Sequence, residues 1–463
     1  MKRILCLVLG LVVLGSSLAF AGGRQQEAAT AKTVIRLGIW PADTNPDGVA
    51  IHEGYVKKFN EKYPDVVIEP ATFVYGVDTF VPQAAAGRLP TMFVTWFTEV
   101  AKLIDGGYVR DITPELQVLG WDTKMEESVK EFLSRDGRIY GYPEYVYALG
   151  LMLNVELFRE AGLVDAQGLP LYPKTWDELA ITAQTIKQKT GAAGFVFPAS
   201  KNYGGWHYSP IACGFGAELE VQRNGRWIAQ LNSPEAVQAM SYIKDLKWKY
   251  DALTPDPTSE DNSTGYRNLA TGMAAMWLGA NTGIGIPAAL YGLPIEDIAL
   301  VPIPTGPKGQ YGLTGGNVYF FEKNATSEQV SATLYYLELM GNAPVATDAV
   351  VTGLRDTARF NQERDMPNIP GFPVWKDSAF LKAQEDVLNA FANVDIRLYN
   401  DFFAATRRPD YIRAEEPMLT QDIYAELTRV CQAVLTDRNA NVQTLLDGAN
   451  QNIQRLLDSQ VNN

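Results

Sequence analysis

The run Tyr203-Gly204-Gly205-Trp206-His207-Tyr208 concentrates aromatic rings around two glycines. It reads as an aromatic-rich loop whose glycines let the backbone bend. Flat ring faces with a phenol or indole donor suit stacking and hydrogen bonding to a ligand, not covalent chemistry. Residues of the same kind recur where strands are predicted to end. Trp40 and Asp43 close and follow the first strand, and Trp96, Thr98 and Glu99 close and follow a later one. Glu144-Tyr145-Val146-Tyr147 follows Pro143. Each has a structural alternative. A strand-ending Trp also fits a core, Tyr145 and Tyr147 also fit plain packing, and the 203–208 run also fits a packed loop.

Bond-breaking chemistry finds little material. The chain has two histidines, His52 and His207, so a Ser-His-Asp triad or a His-rich metal site is not expected. A glycoside hydrolase needs two carboxylates at a defined separation; 53 acidic residues are present, but none lies in a recognisable catalytic motif. The glycines of Gly279-Ala280-Asn281-Thr282-Gly283-Ile284-Gly285 lack both the GKS/T ending of a P-loop and the dinucleotide-binding spacing. No cofactor and no metal are expected. A net charge of -13 argues against nucleic acid and against an anionic membrane surface as partners.

The 463 residues are 46% hydrophobic and 20% charged, which suits a folded body of two lobes. Lys2 and Arg3, the apolar Ile4–Leu14 and Ala19-Phe20-Ala21 read as a secretory signal peptide over residues 1–21, with a flexible leader over 22–32. Cys6 lies inside the apolar stretch and not at the cleavage point, so no lipid anchor is expected. Cys213 and Cys431 could pair or stay as two buried thiols. Beyond the leader, Thr33–Trp40 reads as a buried strand. Ile51, Tyr55, Phe59 and Tyr63 follow at helical spacing before Pro64, and Val66–Ile68 is the next strand. Thr91–Trp96 is a further strand leading into a helix that ends at Gly106-Gly107. Thr175/Glu178 and Thr326/Gln329 are capping boxes, and Ser233-Pro234 starts another helix. Val442 to Leu457 carries apolar residues at helical spacing. The fold class is α/β.

At residues 137–179 the chain resembles the family 1 extracellular solute-binding proteins. Gly137-Arg138-Ile139-Tyr140-Gly141-Tyr142-Pro143 is similar to the family's G-x-x-Y-G-x-P. Leu157-Phe158-Arg159-Glu160-Ala161-Gly162-Leu163 and Pro173-Lys174-Thr175-Trp176 follow in the family's order. Gly107–Pro114, Gly272–Gly279 and Val301–Gly309 match further elements, and Leu153-Asn154 replaces the usual Tyr-Asn. The resemblance implies a type II periplasmic-binding-protein fold, two α/β lobes each with its own sheet. It places the first lobe at 33–143 plus 313–348 and the second at 144–312 plus 349–463. The chain would cross near Pro143, near Leu313–Gly316 and again near 345–350. A sugar would sit in the interlobe cleft, with a polyamine, iron or glycerol phosphate as the alternative solute, and a monomer would deliver it to the membrane permease of an ABC importer outside the cytoplasm. Tyr203 and Trp206 become the leading stacking platforms. Tyr147 stands near a carboxylate of maltose-type members, which argues against a maltose-like ligand. Asn281 stands near an aromatic of those members and would hydrogen-bond the ligand, while Trp277 suits the core. Gly315 and Gly316 would face the ligand with their amides or act as hinge.

Overall fold

The computed structural model describes residues 32–462 except Pro409. The expected signal peptide and all but the last residue of the leader lie outside these residues. The first units form in the expected order, although Ile51 of the expected apolar face is exposed and His52 is buried with Phe59 in its place. β1 (Thr33–Leu37), α1 (Pro46–Lys62) and β2 (Val66–Pro70) make a parallel strand–helix–strand unit with Ile35 opposite Ile68. Asn45 caps α1 through the Gly48 amide at 3.0 Å, and Pro46 occupies its first position, where no amide is needed. β3 (Met92–Trp96) joins β1 at Leu37.

β4 (Gly141–Asn154) spans 14 residues and organises the molecule. Four strands complete the main sheet on its far side and along its centre: β5 (Ala193–Val196), β6 (Ala274–Ala280), β7 (Ile298–Val301) and β8 (Gly312–Phe321). A short β9 (Ile412–Ala414) extends β8 in parallel. The order is β2-β1-β3-β8-β4-β6-β5, with β7 also paired to β4. The resemblance suggested a separate sheet for each lobe. The two sheets meet in one hydrogen-bonded ladder, because β4 pairs with β8 over its first half and with β6 and β7 over its second.

Two hydrophobic cores sit along this ladder. One holds Ile35, Leu37, Phe93, Tyr142, Val146 and Val318–Phe321; the other holds Ala148–Leu153, Trp176, Phe195, Trp277, Leu300 and Leu313. β4 and β8 each pass from one core to the other within two to five residues, Val146 to Ala148 and Leu313 to Val318. Val350, Trp375 and Phe380 pack in the first core, and Leu398 is the next buried residue to join the second.

Helices α2 (Trp176–Thr190), α3 (Tyr203–Phe215), α4 (Pro234–Trp248), α5 (Ser327–Leu339), α6 (Thr420–Thr436) and α7 (Val442–Gln460) cover the sheet. Thr326 and Gln329 form the expected reciprocal box at α5, and Ser233 caps α4 through Ala236. At α2 the Thr175 hydroxyl accepts from the Glu178 amide at 3.1 Å, but the Glu178 carboxylate accepts from Lys174 rather than from Thr175. On either side of Thr175 the backbone is tied to Thr305, whose amide donates to the Lys174 carbonyl at 2.7 Å and whose carbonyl accepts from the Trp176 amide at 3.2 Å. Trp277 is fully buried, and Cys213 and Cys431 are unpaired and buried.

Candidate functional site

The 203–208 run is not a loop. It is the first turn and a half of α3, and its glycines serve packing rather than bending. A Cβ on Gly205 would lie 2.4 Å from the Tyr424 Cα, and one on Gly204 would lie 3.1 Å from the Thr428 Cα, so α3 and α6 cross at backbone contact. The Gly205 amide donates to the Thr428 hydroxyl at 2.9 Å. This close crossing holds Trp206 beside the N-terminal turn of α6.

Around that point lies a cleft of about 620 Å³. One wall is Trp96 and Thr98, at the end of β3 in the first core. The floor is Tyr145 and Tyr147 of β4 with Gly316 and Asn317 of β8. The opposite wall is Asn202, Tyr203, Trp206, Asn262, Glu415, Gln421 and Tyr424, from elements of the second core. The cleft therefore sits where both long strands change cores.

The floor has a local cause. In the β4–β8 pairing Asn317 faces Tyr145 and Val318 faces Pro143, so Glu144 is the extra residue of a bulge. Strand alternation then puts Tyr145 and Tyr147 on one side and sends Glu144 away. Glu144 accepts from the Tyr319 hydroxyl at 3.3 Å, and burial raises its pKa against the opposing hydrogen bonds of Asn317 and Tyr319. Gly315 pairs with Tyr147 across the ladder. A Cβ there would meet the Tyr147 hydroxyl at 2.5 Å and Glu415 Oε2 at 2.6 Å. At Gly316 it would meet the Tyr145 carbonyl at 2.3 Å. Both glycines are required by close approach, whichever atoms face a ligand.

Glu415 is the carboxylate of the cleft. Its Oε1 accepts from the Trp206 indole at 3.1 Å and from the Tyr424 hydroxyl at 3.2 Å. Burial pushes its pKa up to about 7, offset in part by those two hydrogen bonds and reinforced by Glu416 and Glu99. The Tyr147 phenol is pushed well above its ordinary value by burial and by Glu415. The rings of Tyr147 and Trp206 meet edge to face at 6.1 Å, and those of Tyr203 and Trp206 at 6.3 Å. A hydrogen-bond chain crosses from wall to wall: Asn202 donates to Gln421 Oε1 at 3.0 Å, and Gln421 donates to the Thr98 hydroxyl at 3.4 Å.

Of the residues singled out from sequence, Trp96, Tyr145, Tyr147, Tyr203, Trp206 and Gly316 come together here. Gly315 lies behind Tyr147. Glu99 is buried under the wall, accepting from Tyr75 at 2.5 Å with Lys102 at 3.6 Å. Trp40 packs on His52 at 5.3 Å within the first core's rim, and Asp43 is exposed beyond it. Asn281 is buried, and its carbonyl oxygen accepts from the Ala148 amide at 3.0 Å. Glu415, Gln421 and Tyr424 escaped sequence reasoning, because they reach the cleft from a segment some 200 positions beyond Trp206 with no local motif.

The family model for bacterial extracellular solute-binding proteins matches residues 42–345. The chain belongs to that family. Among individual proteins, it is 24% identical over 232 residues to a diacetylchitobiose-binding protein of Streptomyces coelicolor, covering 49% of this chain and 51% of that one. It is also 24% identical over 264 residues to an arabinooligosaccharide-binding protein of Bacillus subtilis, covering 52% and 53%. The chain thus spans about half the length of the curated relatives it matches. A Thermotoga lettingae solute-binding protein solved with α-D-tagatose superposes with a TM-score of 0.66 at 17% identity, over 92% of this chain and 100% of that one. That likeness extends the solute-binding fold across both cores. Among the described residues, no helix is long and apolar enough to cross a membrane.

Proposed function

We propose that this solute-binding protein captures a sugar in the cleft between its two cores and delivers it to the permease of an ABC importer, with no covalent step. The observation that carries the reading is the lining itself. Six aromatic rings offer apolar faces, and Asn202, Asn262, Asn317 and Gln421 offer the planar polar groups that hydroxyls need. The sugar-binding names of the Streptomyces coelicolor and Bacillus subtilis relatives agree with it.

The lobes follow the cores: residues 33–146 with 318–380, and 148–313 with 398–462. The third passage then lies between Val350, in the first core, and Leu398, in the second. Ligand touching both walls favours the closed form by the contacts that the open form lacks. Export by the N-terminal signal and action as a monomer outside the cytoplasm belong to the same reading.

Thermal unfolding against a panel of mono- and oligosaccharides tests it. A ligand at 100 times its Kd adds about 2.7 kcal/mol to the native state, a rise of several degrees. A shift with one sugar class and no turnover of that sugar supports capture without catalysis. Silence across all sugars sinks the sugar reading.

A further inference from the structure

The cleft holds a carboxyl group with no basic partner among the described residues. Glu415 is the acid of its lining, and the basic residue there, Lys201, is exposed and paired to Asp261 at 3.0 Å. Among the described residues no Lys, Arg or His nitrogen lies within 4.0 Å of Glu415; Arg413, two positions earlier, turns to Glu416 at 3.7 Å. Both hydrogen bonds of Glu415 go to Oε1. Oε2 accepts none among the described residues; a Cβ added at Gly315 would lie 2.6 Å from it and 2.5 Å from the Tyr147 hydroxyl. Burying a carboxylate without a partner is costly, and the cost is relieved by an opposite charge. Six aromatic residues line the same cleft, and an aromatic face attracts a cation within about 6 Å of it.

We propose that the captured ligand carries a protonated primary amine that docks on Glu415 Oε2 among these rings, so that the preferred sugar is an amino sugar. This rests on the sugar-capture reading of the cleft. A neutral sugar would satisfy the hydrogen bonds of Glu415 but leave its charge unanswered. The pairing needs an ionised carboxylate. The titratable and charged groups facing it are Tyr147, Tyr424, Glu99, Glu416 and Arg413. With burial holding Glu415 near 7, protonation removes the pairing as pH falls below that value.

Calorimetric titration of the purified protein tests this with unacetylated β-1,4-linked diglucosamine, its N,N′-diacetyl form, cellobiose and spermidine. At pH 7.5, where both the ammonium and the carboxylate are populated, the diglucosamine is expected to bind at least ten-fold tighter than either neutral disaccharide. That preference should collapse at pH 5.5 and in Glu415→Gln, whose amide oxygen still accepts from Trp206 and Tyr424. If that variant does not fold, the wild-type pH series decides alone. Equal or tighter binding of a neutral disaccharide overturns the amine inference and leaves sugar capture standing. Glu415-dependent binding of spermidine with no disaccharide bound overturns the sugar and keeps the cation. No binding by either amine overturns the inference.

Discussion

Each of the two histidines sits in an aromatic cluster with a tryptophan, and the clusters behave differently. His52 packs between Trp40 and Tyr55, and its Nδ1 meets the Tyr336 hydroxyl at 2.8 Å. His207 packs on Trp206 at 4.8 Å, and its two ring nitrogens meet the carbonyls of Tyr203 and Leu278. The first cluster closes on itself at the rim of a core. The second has a carboxylate at its edge and a cleft beside it. Similar composition therefore does not make a site; an unspent hydrogen-bonding and charged group facing open space does.

The sharpest contrast is in pH. Burial pushes His207 down to about 4, offset by its two backbone hydrogen bonds. Its folded value lies below the unfolded one, so the unfolded chain binds the extra proton and stability falls as pH drops from about 6.5 to 4. The fully buried group is worth up to about 3 kcal/mol across that window. His207→Gln should flatten this part of the stability–pH curve measured by denaturant titration. A variant with the wild-type slope would show that His207 charges without penalty. His52→Gln should alter the same slope less, since its ring is less deeply enclosed.

Next comes the helix crossing. Gly205→Ala forces a methyl into the Tyr424 backbone, and overpacking of this kind costs about 1–3 kcal/mol. Ligand affinity should fall with it, because Trp206 moves with α3. A drop in melting temperature with affinity intact would separate the crossing from the cleft.

The two tryptophans give the direct comparison. Trp206→Ala is expected to weaken binding of the responding sugar by about 1–3 kcal/mol, as loss of a stacking ring does. Trp40→Ala should leave that affinity unchanged while lowering the melting temperature. Equal losses from both, measured by calorimetry, would erase the distinction between clusters. The smallest effect is expected from Gln421→Ala, which removes the long hydrogen bond to Thr98 that reaches the opposite wall and the one accepted from Asn202 on its own wall; closure should weaken by about 1 kcal/mol.

Much of the architecture was legible before any coordinates. Pro64 ended α1, Thr326 and Gln329 capped α5, and the 137–179 signature pointed to the solute-binding fold. These features are local, written in periodicity and in residues that satisfy nearby backbone groups. The aromatic run at 203–208 was recognised as a cluster but misread as a loop. Two adjacent glycines signal bending when seen alone, yet in a helix they also permit another backbone to approach, and the partner, Tyr424, is remote in sequence. The resemblance brings Asn281 toward a ligand because it stands near an aromatic of maltose-type members. Its side chain instead satisfies the Ala148 amide, a buried donor that only the fold reveals.

By itself, then, the sequence determined the α/β class, the strand–helix order and the aromatic character of a binding region, because each depends on neighbours along the chain. The tertiary structure decided which rings share a cleft, that Gly315 leaves room for Glu415 against Tyr147, and that Glu415 faces them without a counter-charge. Those facts depend on where β4 and β8 change cores and on how closely α3 meets α6. Both are set by packing between segments far apart in the chain, which no local pattern encodes.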